Sequence, residues 1–231
     1  MENIEIDAAL KFDFFGKEYL FERLDPFTVN ITTATSHTIA GLSGSLSLEM
    51  RKDFYERPYL IKFKDGLHLS QKSQIKFFMK LPLITKLFLK SNEKSIEVDR
   101  YFEYRRNAWH GEVHSGTLCV YADAQIKIDL PFETQDALVP LRILNRGDAA
   151  REIKKIVIEP ENLSLFKGDN GLFTNKVYIY VISTNEFNVE YGTKTTTKAI
   201  NPHPLIDRKM SVTRTVLTRF DRYGIAREFG L

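Results

Sequence analysis

Disulfides, tryptophan and long apolar runs are what this chain has little of. Its 231 residues include one Cys and one Trp. A lone Cys119 closes no internal disulfide, which excludes a disulfide scaffold and fits a cytosolic, reducing compartment. Within Gly116-Thr117-Leu118-Cys119-Val120-Tyr121 it reads as a small core residue of a buried strand. The most apolar stretch, Phe77 to Leu89, contains Lys80, Pro82 and Lys86 and falls short of the about 20 residues that a spanning helix needs. Met1 to Asp7 holds neither a basic nor an apolar segment, so no secretory signal is expected. The sequons at Asn30 and Asn162 then read as chance matches. Charge of one sign is also scarce: 33 Lys+Arg against 30 Asp+Glu leave +3. That balance keeps a protein soluble and is not the footprint of a dedicated nucleic-acid binder. A Gly-rich phosphate loop, His-Glu-x-x-His, Cys-x-x-Cys and Gly-x-Ser-x-Gly are all absent, which leans the reading away from an enzyme.

What is present is alternation. Leu10, Phe12 and Phe14 alternate with Lys11 and Asp13, and Leu46, Leu48 and Met50 with Ser47, Glu49 and Arg51. Similar runs cover Phe27–Thr32, Tyr59–Lys64 and Ile126–Leu130, each the pattern of a strand with one face on a core. Phe15-Gly16 separates two such runs, Asp65-Gly66 predicts a hairpin between Tyr59–Lys64 and Leu67–Ser70, and Asn170-Gly171 predicts another. Val177–Ile182 is apolar on both faces and reads as a central strand. The best helical candidate, Asp148 to Lys155, amounts to a turn or two.

These features predict an all-β protein of antiparallel β-sandwich architecture. Pro131 to Pro140 is turn-prone and marks a boundary. It gives an N-terminal lobe over residues 1–132 and a C-terminal, immunoglobulin-like sandwich over 133–231, with one large sandwich as the alternative.

Three constellations carry chemistry. Tyr101, Tyr104, Arg105, Arg106 and Trp109 concentrate the side-chain types that dominate interface energy. Extended, His110, Glu112 and His114 share one face and offer a ligand set for Zn or Fe. Alternate strand residues lie roughly 7 Å apart, so one ion would require a bulge, which Gly111 is placed to supply. Two basic stretches complete the set. Lys72, Lys76, Lys80, Lys86, Lys90 and Lys94 read as protection of exposed strand edges. Arg208, Lys209, Arg214, Arg219, Arg222 and Arg227 suit phosphate or carboxylate pairing.

Pro82-Leu83, the segment Ile96-Glu97-Val98-Asp99-Arg100-Tyr101 and the segment Gly116–Tyr121 together resemble an archaeal family of uncharacterised domain-of-unknown-function proteins over residues 82–121. Members carry Gly-x-Leu/Ile-Cys-Arg-Tyr, and Val120 stands here in place of that Arg. The resemblance implies no established activity. Because some members are encoded beside small mechanosensitive channels, it implies a role next to a membrane protein.

The expectation is therefore a non-enzymatic, cytoplasmic protein that binds a protein partner or associates with itself, without a cofactor. The alternatives are a Zn- or Fe-dependent enzyme or sensor built on His110, Glu112 and His114, and a carbohydrate- or anion-binding module in which Trp109 and nearby tyrosines form a stacking platform.

Overall fold

The structure, a computed structural model, describes residues 3–92, 94–103, 106–111, 114, 116–123, 126–127, 136–168, 171–183, 186–193, 205–206, 215–219 and 228–229. The chain is all-β. In order, the strands are β1 (Asn3–Ile6), β2 (Ala9–Phe14), β3 (Lys17–Asp25), β4 (Thr28–Thr32), β5 (His37–Gly41), β6 (Leu46–Asp53) and β7 (Tyr59–Leu69). Next come β8 (Gln74–Leu81), β9 (Ile84–Lys90), β10 (Ser95–Tyr101), β11 (Asn107–His110), β12 (Thr117–Asp123), β13 (Ile126–Lys127) and β14 (Ala137–Asn145). The last are β15 (Arg151–Ile158), β16 (Leu165–Gly168), β17 (Gly171–Thr174), β18 (Val177–Val181), β19 (Glu186–Tyr191), β20 (Thr215–Arg219) and β21 (Glu228–Phe229). One 3-10 turn, Pro160–Asn162, follows β15.

Two compact units divide the chain, and both are discontinuous: Met1–Asp53 with Ile84–Glu103, and Phe54–Leu83 with Tyr104–Leu231. Unit 1 holds two four-stranded sheets, ordered β1-β6-β9-β10 and β2-β3-β4-β5. The alternation of their strands turns Leu46, Leu48, Leu87 and Leu89 of one sheet and Tyr19, Phe21, Val29 and Ile31 of the other into a common core. The β2–β3 hairpin closes through Phe15 and Gly16, both at positive φ (54° and 81°). Two left-handed residues in a two-residue loop match the right-handed twist of the flanking strands.

Unit 2 packs the sheet β15-β7-β12-β11-β21 against a sheet built on β13-β8-β14-β18-β19-β20. Tyr59, Ile61, Phe63, Val120, Ile156 and Ile158 of the first meet Phe77, Met79, Val139, Ile143, Ile179 and Val189 of the second in one buried cluster. β18 lies between β14 and β19, as its two-sided apolar pattern predicts. The antiparallel pattern is broken by parallel pairs: β12 with β7, and β14 with both β17 and β18. Pro140, which has no N–H for a ladder, stands where β14 changes partner from β17 at Leu138 to β18 at Leu141. Buried amides pin the turns. Asn145 Nδ2 donates to Ser70 O (2.9 Å) and Ala149 O (2.8 Å), and Asn175 Nδ2 to Gly192 O (2.7 Å).

Several expectations are replaced. The compact units cut the chain differently from a boundary at residues 132/133, since β14 pairs along its length with β8. Asp65-Gly66 is no hairpin turn: β7 runs through it, and residues 63–66 bulge opposite Lys154, between the pairs Leu67↔Ile153 and Lys62↔Lys155. Gly66 meets the bulge's demand for positive φ (70°). No helix forms over 148–155, because Arg151–Ile158 joins the edge of β7 as β15. Lys86 and Lys90 do not guard an edge, because β9 lies between β6 and β10 along its length, whereas β8 meets β13 only at Phe78 and Met79. Lys72, Lys86 and Lys90 instead pair with Asp148, Asp53 and Glu49 at 3.0, 2.9 and 3.7 Å. The 193–204 loop, from residue 194, and most of the C-terminal arginine series fall outside the described residues.

Candidate functional site

The most distinctive surface of unit 1 is aromatic. The tight β2–β3 turn holds Phe15 at its tip, where its ring stacks on Tyr101 at the end of β10, centroids 3.8 Å apart and planes 6° from parallel. Phe14 supports the stack edge-on at 5.0 Å, with its own ring in the core. Phe15, Tyr101 and the adjoining Phe102 are 49, 40 and 54% exposed. A polar anchor lies in the same strands. The bulge between Glu97 and Asp99 reverses the alternation of β10, so Asp99 turns from the solvent side towards the facing sheet. There its carboxylate accepts the Lys17 ammonium at 2.9 Å and a short hydrogen bond from the Tyr19 hydroxyl. Burial works to raise the Asp99 carboxyl, but hydrogen bonds from Tyr19, Lys17 and the Arg100 amide outweigh it and hold it below the usual range. Burial, reinforced by the bond to Asp99, pushes the Tyr19 phenol up.

The five residues singled out as an interface are divided. Tyr101 belongs to unit 1, while Arg106 and Trp109 belong to unit 2. Tyr104 and Arg105 lie outside the described residues. Arg106 is exposed, with its carbonyl accepting the Tyr121 N–H at 2.8 Å, and Trp109 is half-buried in β11 opposite Leu118. Sequence reasoning missed Phe15 and Phe102. The signal for Phe15 was available, because an aromatic residue within a two-residue turn has no core to enter.

In unit 2, the second face of the five-stranded sheet buries Leu60, Ala108, Cys119 and Val157. Burial pushes the Cys119 thiol up to about 12. Beside this patch, Lys155 stands directly opposite Lys62 across β15 and β7. Burial, then the charge of Lys62, lowers the Lys155 ammonium. Burial, then the charge of Lys155, lowers the His110 imidazole. His114 is exposed in a turn and Glu112 lies outside the described residues, so the His110, Glu112 and His114 set is described only in part. Among the described residues no cluster of three or more His, Cys, Asp or Glu side chains forms a metal site. Nor is any helix among them long and apolar enough to cross a membrane.

No curated protein and no solved structure gives a match. A family model described as "Protein of unknown function (DUF432)" matches residues 46–220. That span takes in all of unit 1 from β6 onwards and most of unit 2. The chain belongs to this family of uncharacterised proteins.

Proposed function

We propose that the protein is a non-enzymatic, cytoplasmic binding or assembly protein that engages a protein partner through the aromatic surface of unit 1. The observation that carries this reading is the Phe15–Tyr101 stack with Phe102 beside it, three rings left substantially in water. Aromatic side chains bury about 150–250 Å² each and dominate interface energetics. A ring already held in a stack also loses little rotamer freedom on binding. The place beside a membrane protein that the family resemblance implies is one setting for such a partner. The test is affinity capture with the full chain from native extract, comparing the wild type with a Phe15→Ser, Phe102→Ser double variant. Loss of a saturable partner in the variant supports the reading. A partner set unchanged by the double substitution, with the fold intact by circular dichroism, overturns it.

A second reading, an anion-binding module, draws support from one observation: Lys62 and Lys155 stand directly opposite one another on one sheet face of unit 2. Inorganic phosphate that raises the melting temperature of the wild type, but not of a Lys155→Met variant, favours this reading.

A further inference from the structure

We propose that β5 is a self-pairing edge through which two copies of this chain join antiparallel, β5 to β5, so that the β2-β3-β4-β5 sheet continues from one copy into the next. The edges of unit 1 are protected unequally. Its sheets end on β1, β10, β2 and β5. An open edge presents unpaired N–H and C=O groups, and charged side chains or bulges are the usual means of blocking it. β1 carries Glu5 and β2 carries Lys11 and Asp13. β10 carries Glu97, Asp99 and Arg100 and is bulged. β5, His37-Thr38-Ile39-Ala40-Gly41, has no such charge, no proline and no bulge. The charge-free stretch extends on both sides, with no Asp, Glu, Lys or Arg from Pro26 to Leu48.

The hydrogen-bond parity shows what the edge offers. Thr33 N–H donates to Ser36 O at 2.9 Å and Leu42 N–H to Phe27 O at 2.8 Å, at the two ends of the β4–β5 ladder. Alternation between those ends turns the backbone groups of Thr38 and Ala40 towards β4, and those of His37, Ile39 and Gly41 away from it. Among the described residues β5 pairs with β4 alone. Ile39, at the middle of the strand, is 61% exposed.

A second copy is the occupant these features fit. When a strand meets itself antiparallel, any charge it carries is placed close to its own copy, and like charges opposite one another destabilise a sheet. β5 and its flanks carry none of these charges, so self-pairing meets no such repulsion. A two-fold axis at Ile39 sets His37 opposite Gly41 and Ile39 opposite Ile39, which matches each outward N–H to a C=O and covers the exposed isoleucine. This inference is independent of the Phe15–Tyr101 surface, and either can fail without the other.

The test is sedimentation equilibrium of the full chain over a wide concentration range, with register read by cross-linking. The wild type and Ile39→Val form a concentration-dependent dimer, and Ile39→Lys weakens it by at least about tenfold by opposing two charges. In the Ile39→Cys variant the paired Cα atoms stand about 5.5 Å apart, within disulfide reach, so oxidation traps a covalent dimer. Cys119 does not compete, since it is buried. A chain that stays monomeric throughout overturns the proposal. So does a dimer that survives Ile39→Lys unchanged, or one that Ile39→Cys fails to trap. Circular dichroism confirms that each variant is folded.

Discussion

Removing the Asp99 carboxylate should uncouple the two sheets of unit 1, by an amount the geometry sets. Asp99 on β10 accepts from Tyr19 and Lys17 on β3. Tyr19 is 3% exposed, so its hydroxyl cannot simply exchange this acceptor for bulk water. A hydrogen bond to a charged group contributes about 1.5–3 kcal/mol, and an exposed ion pair such as that of Lys17 adds about 0.2–1 kcal/mol. Asp99→Ala should therefore cost about 2–3 kcal/mol, and Tyr19→Phe about 1.5–3 kcal/mol. Their double-mutant coupling should exceed about 1 kcal/mol if the bond joins them directly. The pH dependence follows from the lowered carboxyl. A group whose folded pKa is depressed contributes stability that is present above its unfolded value, about 3.9 for Asp, and is lost as pH falls through the folded value. The gap between wild type and Asp99→Asn should thus be open at neutral pH and close in strong acid. Urea unfolding followed by peptide circular dichroism at several pH values measures it. A coupling energy near zero, or a gap that is the same at neutral and acidic pH, refutes the reasoning.

The other predictions concern unit 2 and the N-terminal strands. Cys119, buried and with its thiol pushed up to about 12, should resist thiol reagents in the native protein and react fully in denaturant. Gly66→Ala places a Cβ 2.5 Å from Glu152 Oε1 at a φ of 70° and should cost about 1–3 kcal/mol in thermal or urea unfolding. Truncating Glu152 should recover the steric part of that loss and leave the backbone part. The His110 imidazole, lowered by burial and by Lys155, should titrate by NMR below the ordinary histidine value, and Lys155→Met should bring it partway back. Because its folded pKa is lowered, its contribution to stability is present above the unfolded histidine value and is lost as pH falls below it. A chain cut to begin at Gly44 should lose the cover of Leu48, Leu87 and Leu89 and aggregate, as light scattering would show.

Much of this fold was legible in short-range patterns. The alternation in β2, β4 and β6 and the two-sided apolar run of β18 state which faces are buried, because a strand's side chains repeat every second residue whatever its partner. Partner choice is a different kind of information. Asp65-Gly66 has the chemistry of a tight turn, and a bulge needs the same positive φ. Only the presence of β15 across from β7 decides between the two. The division into units was hidden for the same reason: Asp53 pairs with Ile84, and the chain between them leaves to build β7 and β8 in the other unit. The site suffered most. Strict alternation puts Asp99 with Glu97 on the solvent side, and one bulge reverses that. Tyr101 looked like a neighbour of Trp109 along the chain, yet its stacking partner is Phe15, on a hairpin far away in sequence.

The span of the family match sharpens what these surfaces mean. It begins at residue 46, the first residue of β6. Of the unit 1 sheet β1-β6-β9-β10, three strands lie inside the match, and their leucines form one half of a core. A single sheet with one apolar face is not a stable layer: each fully buried leucine represents about 1.5–3 kcal/mol that exposure would forfeit. In this chain the facing layer is β2-β3-β4-β5, all of it before the matched span. Those four strands are thus a structural requirement of unit 1 rather than an appendage. They also carry Phe15 and β5, whereas Tyr101 and Phe102 lie inside the match. If Tyr101→Ala and Phe102→Ser abolish capture of a partner while Phe15→Ala only weakens it, the recognition chemistry belongs to the matched region. The N-terminal hairpin then serves to hold Tyr101 in place. If Phe15→Ala alone abolishes capture, recognition is carried by the hairpin that precedes the matched span.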